Sequence, residues 1–183
     1  MKTQFEKWIY ISVPLIVSLS AAGRHIYNLT NQAEILAPVV PINKSVWEYL
    51  KTLIYPALMF WTTAYFARYK LKISRAAVLT GAALSMVVLP LMTVMLYYFY
   101  ICAFGIHSRS VDFLIAILSV MTGQFATHHL CLYMCPSKRQ GSRAFAVIII
   151  LIAMVIIFTY YPPKLPIFMD PETGTYGIRR IMD

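Results

Sequence analysis

Five long apolar stretches alternate with short polar segments along the chain. They cover residues 8–29, 46–69, 76–104, 111–134 and 144–161. A hydrocarbon core about 30 Å thick needs roughly 20 apolar residues per helix, so each stretch is long enough to cross a bilayer. The pattern predicts an all-α fold: a polytopic membrane helix bundle with five transmembrane helices over residues 1–161, followed by a short, irregular, Pro-rich tail over residues 162–183.

Polar residues at the edges of these stretches indicate where helices begin. Ser45 followed by Glu48 is a capping-box pattern, in which the hydroxyl accepts an early backbone N–H and the carboxylate reaches back to the N–H of Ser45. Ser110 and Asp112 suit the start of the fourth helix, since an acid in the first turn complements the helix dipole. We therefore expect the second helix to begin at Val46.

Proline and glycine organise the end of the chain. Pro162 and Pro163 are expected to stop the fifth helix, because proline cannot continue a helical hydrogen-bond ladder. Further on, Asp170-Pro171 and Gly174 are typical of turns. The tail is therefore predicted to be a series of turns, and we expect it to be ordered and packed across the helix ends.

The composition agrees with a membrane protein. Hydrophobic residues make up 60% of the chain and charged residues 13%, whereas soluble domains are about 45–50% apolar and about 25% charged. The net charge of +9 lies in short clusters between apolar stretches, which favours topology determinants over a nucleic-acid surface. Cys102, Cys131 and Cys135 form no paired framework, so no structural disulfide is expected.

The distribution of positive charge predicts the orientation. Basic residues concentrate at the N-terminus and after the second and fourth stretches: Lys2, Lys7, Arg68, Lys70, Lys72, Arg75, Lys138, Arg139 and Arg143. By the positive-inside rule these are cytoplasmic, which makes the C-terminus extracytoplasmic in a multi-pass protein of the cell membrane.

The first stretch also fits a signal peptide, with small residues at Ser20, Ala21 and Ala22. We favour a retained helix, and the other four keep their orientation either way.

One group of polar residues is a candidate ligand or ion site. The predicted topology places most of its members near the outer face of the membrane, where they would line a polar vestibule between the helices, and we assign Gln124 to the same vestibule. The members are His25, Asn43, Trp47, Glu48, Asp112, Gln124, Asp170 and Tyr176. Capping, dipole complementation and turn formation explain Glu48, Asp112 and Asn43 without a ligand. His25 differs, because an ionisable group at membrane depth needs a partner, which Glu48 or Asp112 could supply.

A second group lies near the cytoplasmic side of the fourth stretch. His128, Cys131 and Cys135 fall on one helix face, with Gln124 one turn above. Imidazole and thiolates suit zinc or copper(I), but the spacing is not that of a zinc knuckle. Reduced, packed cysteines beside interfacial histidines are the simpler interpretation. We therefore predict no metal centre and no cofactor.

Small residues favour close helix packing in the third stretch. They are Gly81, Ala82, Ala83 and Ser85. Small side chains let helix backbones approach each other within a membrane.

Two motifs resemble a known family. They read Pro41-Ile42-Asn43-Lys44-Ser45-Val46-Trp47-Glu48-Tyr49-Leu50-Lys51 and, after Pro162-Pro163, Asp170-Pro171-Glu172-Thr173-Gly174-Thr175-Tyr176-Gly177. They resemble small, uncharacterised multi-pass membrane proteins from bacteria, catalogued as a domain of unknown function. The resemblance spans most of the chain and implies a bacterial inner membrane but no activity. Lys44 and Tyr49 stand where that family has glutamate and histidine, which argues against a metal or proton site at those positions.

These observations leave three functional hypotheses. The first is binding or passage of a small polar solute or ion through a vestibule lined by His25, Glu48, Asp112 and Gln124. The second is a membrane-embedded enzyme using His25 with a carboxylate, although the sequence holds none of the common catalytic motifs and we assign no catalytic residue. The third is a non-catalytic partner subunit. The expected partners are the lipid bilayer and other membrane subunits or further copies, with no nucleic acid; the identity of a small-molecule ligand is not predicted.

Overall fold

The computed structural model describes residues 4–29, 37–106 and 108–177, and side chains within 4–23, 37–106 and 108–177. Five α-helices account for most of these residues: α1 (Gln4–Leu29), α2 (Val46–Leu71), α3 (Arg75–Phe104), α4 (Arg109–Tyr133) and α5 (Lys138–Tyr160). A 3-10 turn follows at Pro166–Phe168. The described part of the chain contains no β-strand, and a single antiparallel bridge joins Met169 to Tyr176.

Four of the described helices are long and apolar enough to cross a membrane. They are α1 over Gln4–Gly23, α3, α4 and α5. Helix α2 is not among them, since it carries Glu48, Lys51, Arg68 and Lys70 together with several Thr and Tyr residues. The structure therefore supports a helical bundle compatible with a membrane, while a fifth crossing by α2 stays a prediction.

The start of α2 differs in detail from the expected capping box. Ser45 Oγ accepts the Glu48 backbone N–H at 3.3 Å, as predicted. The Glu48 carboxylate, however, does not return to the Ser45 N–H, which instead donates to Asn43 Oδ1 at 2.9 Å. Half of the predicted box is therefore wrong: Ser45 is the N-cap residue, but its own N–H donates to Asn43, which leaves the Glu48 carboxylate available for other partners.

Helix α5 begins earlier than the hydrophobic pattern indicates. Its first residue is Lys138 rather than Ala144, because Ser137 and Gln140 form a complete capping box. The Ser137 N–H donates to Gln140 Oε1 at 2.7 Å, and Ser137 Oγ accepts from the Gln140 N–H. The first turns of α5 therefore consist of polar and basic residues that the apolar stretch leaves out.

Helices α1 to α4 form a ring. Helix α2 packs between α1 and α3, α4 packs between α3 and α1, and α5 packs on the outside of α3. The interior contains many apolar side chains, among them Ile9, Ile16, Leu53, Ala57, Met86, Leu89 and Val120. Helix α2 carries four charged residues and is covered by its neighbours over much of its surface.

Helices α3 and α4 approach closely through small residues. A Cβ atom added at Gly81 would lie 2.6 Å from Thr127 Cγ2. Thr127 Oγ1 lies 2.9 Å from the Gly81 carbonyl oxygen and 3.0 Å from that of Gly123, so its rotamer is held by both helices. Close packing through the small residues of the third stretch is confirmed at Gly81.

We expect Gly81→Ala to lower the midpoint of thermal unfolding in detergent. Overpacking against Thr127 costs about 1–3 kcal/mol, which exceeds the gain of up to about 1 kcal/mol from replacing a helical glycine. The double variant Gly81→Ala/Thr127→Ser removes the clashing methyl and keeps the hydroxyl, so it should recover most of the loss. Gly23→Ala is the matched control, since no described atom lies within 4 Å of that added Cβ. A single Gly81→Ala variant as stable as the control would contradict this packing.

Candidate functional site

The polar residues of interest lie at one end of the bundle. This end, called here the tail end, is formed by the starts of α2 and α4 and the ends of α3 and α5. The Tyr49 hydroxyl donates to the Asp112 carbonyl oxygen at 2.7 Å, which joins the first turns of α2 and α4. The opposite end, where α2 and α4 finish and α3 and α5 begin, is called the basic end.

A buried ion pair lies at the tail end. Glu48 and Lys51, three residues apart on α2, form a salt bridge, and their side chains are 3% and 0% exposed. The Lys51 ammonium also donates to the Ala37 carbonyl oxygen at 2.8 Å and to Thr159 Oγ1 at 3.1 Å. All three ammonium hydrogens therefore have acceptors, one from the α1–α2 connection, one from α2 and one from α5.

This arrangement offsets the cost of burying charge. Removing an ion from water costs several kcal/mol even after the protein relaxes, and an opposite charge compensates only with good geometry and further hydrogen bonds. Glu48 meets this requirement through Lys51 and through the Ile42 backbone N–H at 2.9 Å. The pair thus holds the connection before α2 against the helix, an attachment that the Tyr55 hydroxyl reinforces by donating to the Pro38 carbonyl oxygen.

The tail folds back on itself in a tight turn. The Asp170 N–H donates to the Thr175 carbonyl oxygen, and the Gly174 N–H donates to that of Asp170. Asp170 Oδ1 accepts the Glu172 N–H at 2.9 Å, an Asx turn. Gly174 has a φ of +65°, in the left-handed region that glycine adopts without strain. The predicted turn residues therefore build a compact loop rather than an extended strand.

This loop docks on the start of α2 through both polar and aromatic contacts. Lys44 donates its backbone N–H to Asp170 at 3.4 Å and its ammonium to Glu172 at 2.6 Å. Asn43 Nδ2 lies 3.3 Å from the Gly177 carbonyl oxygen. Beneath these contacts, the centre of the Trp47 ring lies 4.8 Å from that of Phe168 and 5.5 Å from that of Phe158. The tail thus covers the tail end and is anchored by a small aromatic cluster.

The structure brings together only part of the predicted polar group. Asn43, Trp47, Glu48, Asp170 and Tyr176 belong to the tail end or to the loop that covers it, and Asp112 lies beside Tyr49. Gln124 is elsewhere: at 1.5 Å per residue it lies about 18 Å along α4 from Asp112. The His25 side chain lies outside the described residues.

Sequence reasoning missed Lys51 and Thr159. In the sequence, Lys51 is only the last residue of the Pro41–Lys51 motif, and Thr159 is a single hydroxyl within an aliphatic stretch. The spacing of three residues between Glu48 and Lys51 places both on one helix face, which is the signal that could have revealed the pair. Nothing in the local sequence indicates that Thr159, which is 1% exposed, completes the set.

Helix α4 carries further polar side chains that are buried. Gln124 Nε2 donates to Ser85 Oγ at 3.4 Å, whereas Gln124 Oε1 and Ser119 Oγ have no hydrogen-bond partner among the described residues. Both side chains are fully buried. Unpartnered buried polar atoms are rare in proteins and are commonly satisfied by water or by a ligand.

The residues of the alternative metal site, His128, Cys131 and Cys135, lie toward the basic end, where they contact groups other than one another. His128 Nε2 lies 3.7 Å from Glu6 Oε1. The Cys131 thiol instead lies 3.7 Å from the Ala77 carbonyl oxygen, and Cys135 is exposed. Within the described ranges, no three His, Cys, Asp or Glu side chains are grouped so that they could hold a metal ion.

Comparison with known proteins assigns the chain to a family. The family described as "Family of unknown function (DUF6512)" matches residues 1–178, which confirms the expected resemblance to a family of unknown function. No curated protein and no solved structure matches the chain.

Removing the Lys51 charge is expected to destabilise the protein strongly. Lys51→Met leaves the Glu48 carboxylate buried without its counter-charge, at a cost of about 3–5 kcal/mol. The double variant Glu48→Gln/Lys51→Met should recover part of this loss, because no charge then remains buried. Lys44→Met is the control, since Lys44 and Glu172 form an exposed pair of the kind that contributes little. Equal midpoints of thermal unfolding for Lys51→Met and Lys44→Met would contradict a structural role for the buried pair.

Loss of the aromatic anchor is expected to release the tail. Phe168→Ala removes the ring that contacts Trp47 and Phe158, so trypsin should cleave faster after the exposed Lys164. Glu172→Gln, which alters only an exposed ion pair, should leave cleavage close to the wild-type rate. The measurement is limited proteolysis in detergent followed by intact-mass analysis. Identical cleavage rates in both variants would show that the aromatic cluster does not hold the loop.

Proposed function

The chain belongs to the DUF6512 family of unknown function, and we propose that it is an integral membrane protein that binds or passes a small polar solute or ion through its helix ring. The observation that carries this proposal is the set of buried polar atoms without partners on α4, at Ser119 and Gln124. A solute or water that forms hydrogen bonds would supply the missing partners. Buried polar groups within membrane helices commonly mark such pathways.

Buried polar groups occur at successive levels between the two ends of the ring. The tail end holds the Glu48 and Lys51 pair, and Ser20 Oγ lies 3.0 Å from Thr52 Oγ1 at the next level of α1 and α2. On α4 follow Ser119, then Gln124, and finally His128 beside Glu6. Titratable groups thus lie at both ends of this row, with neutral hydroxyl and amide groups between them. This order favours a proton or a small neutral polar molecule over a large substrate.

In this proposal α2 crosses the membrane as a fifth helix that is shielded from lipid. Its burial between α1 and α3 supports this view, because the charges near its start face protein. The basic end is cytoplasmic and the tail end extracytoplasmic, in keeping with the positive-inside rule. The docked tail then covers the outer mouth of the ring.

The full internal pairing of Lys51 favours a second candidate, a non-catalytic partner subunit. In that role the ion pair only positions helices, and the protein alone transports nothing. An enzyme using His25 stays a prediction, since that side chain lies outside the described residues.

Reconstitution tests the first candidate directly. We expect purified wild-type protein in liposomes to admit protons, followed with an entrapped pH-sensitive dye under a valinomycin-set potassium potential, or glycerol, followed by light scattering. Gln124→Leu removes the unpartnered amide at similar volume and should lower the flux markedly. Thr122→Val is the control on the same helix, because the Thr122 hydroxyl donates to the Leu118 carbonyl oxygen of its own helix.

Two results would contradict a passage role. In the first, the wild-type protein is folded but its liposomes admit protons and glycerol no faster than protein-free liposomes do. That result would favour the partner subunit. Equal losses of flux in Gln124→Leu and Thr122→Val would show that the buried amide is not on the path.

A further inference from the structure

Eight exposed or partly exposed basic side chains converge at the basic end. They are Lys7, Arg68, Lys70, Lys72, Arg75, Lys138, Arg139 and Arg143. Among the described residues, this end holds a single acid, Glu6, which lies beside His128. The other described acids, Glu48, Asp112, Asp170 and Glu172, belong to the tail end or its loop. The basic end therefore carries a large uncompensated positive charge.

Much of this charge has no ionic partner in the described part of the chain. Only Lys44, Lys51 and His128 take part in salt bridges there. Arg68 is held in place by neighbouring tyrosines: its guanidinium lies 4.8 Å from the ring centre of Tyr65 and 4.3 Å from that of Tyr69. Tyrosines beside basic residues are typical of the headgroup level of a membrane.

The first turns of α3 and α5 add to this potential because they lie side by side. A Cβ atom at Gly141 would lie 2.9 Å from Ala76 Cα, so the two helix starts are in contact. Neither first turn contains an acid, and they carry Arg75 and the pair Lys138 and Arg139. A cation at a helix start is opposed by the helix dipole, so these charges do not serve helix stability. An external anion would relieve the repulsion.

We propose that the basic end binds the phosphate headgroups of anionic phospholipids in the adjoining leaflet. Charge complementarity selects an anionic partner, since basic clusters next to membrane helices attract anionic lipid. Exposed apolar side chains beside the basic residues favour a lipid over a free anion as the partner. Phe66 and Phe145, with 74% and 53% of their surface exposed, lie on the helices next to the basic residues and offer apolar contacts for acyl chains. This inference does not depend on passage through the ring.

Native mass spectrometry of the full-length, detergent-purified protein tests the proposal. We expect wild-type protein to bind dioleoyl phosphatidylglycerol more tightly than dioleoyl phosphatidylcholine. Arg139→Gln/Arg143→Gln should weaken phosphatidylglycerol binding about 25-fold, because each basic side chain near an anionic surface contributes a factor of about five. Both side chains are exposed, so the variant should keep the wild-type circular dichroism spectrum.

A charge-matched control separates local binding from net charge. Arg109→Gln/Lys164→Gln removes two exposed charges from the tail end and should leave the affinity within about twofold of wild type. Equal affinity of wild-type protein for the two lipids, or an equal loss in both double variants, would overturn the proposal. Displacement of phosphatidylglycerol by inorganic phosphate at matched ionic strength would also overturn it, because the surface would then recognise phosphate without the lipid.

Discussion

The arrangement of the tail end depends on the buried ammonium of Lys51. A charge with no access to water must have its hydrogen-bond capacity met by protein, or the fold loses several kcal/mol. Its three acceptors come from Glu48, from the Ala37 carbonyl oxygen and from Thr159. One side chain therefore links both α5 and the α1–α2 connection to α2. The tail loop contacts two of these elements, the connection through Lys44 and α5 through Phe158.

The same requirement explains why α2 is flanked by other helices. Helix α2 carries the buried pair and several hydroxyl groups, and α1 and α3 flank it. Helix α5, by contrast, is aliphatic over most of its length and leaves Ile149, Ile150 and Ile157 exposed. The ion pair of α2 thus faces protein and the isoleucines of α5 face outward, which is the distribution that a lipid environment favours.

The two ends of the bundle differ in chemistry. The tail end combines acids, an ion pair and a covering loop, whereas the basic end carries cations that have no ionic partner among the described residues. Buried hydroxyl and amide groups lie between them, and some of their atoms lack partners. The proposal for solute passage depends on the buried polar groups, whereas the proposal for lipid binding depends on the exposed cations of the basic end.

The sequence by itself determined the local features: apolar stretches long enough for membrane helices, the Ser45 cap, the turns of the tail and the close approach at Gly81. Each depends on residues near in sequence or on side-chain size. Only the tertiary structure decided that Lys51 is buried, that Asn43 replaces Glu48 in the cap and that Gln124 lies far from Asp112. Lys51 and Thr159 are 108 positions apart. Contacts at such separation depend on how helices pack, because hydrophobic periodicity and capping patterns describe each helix alone.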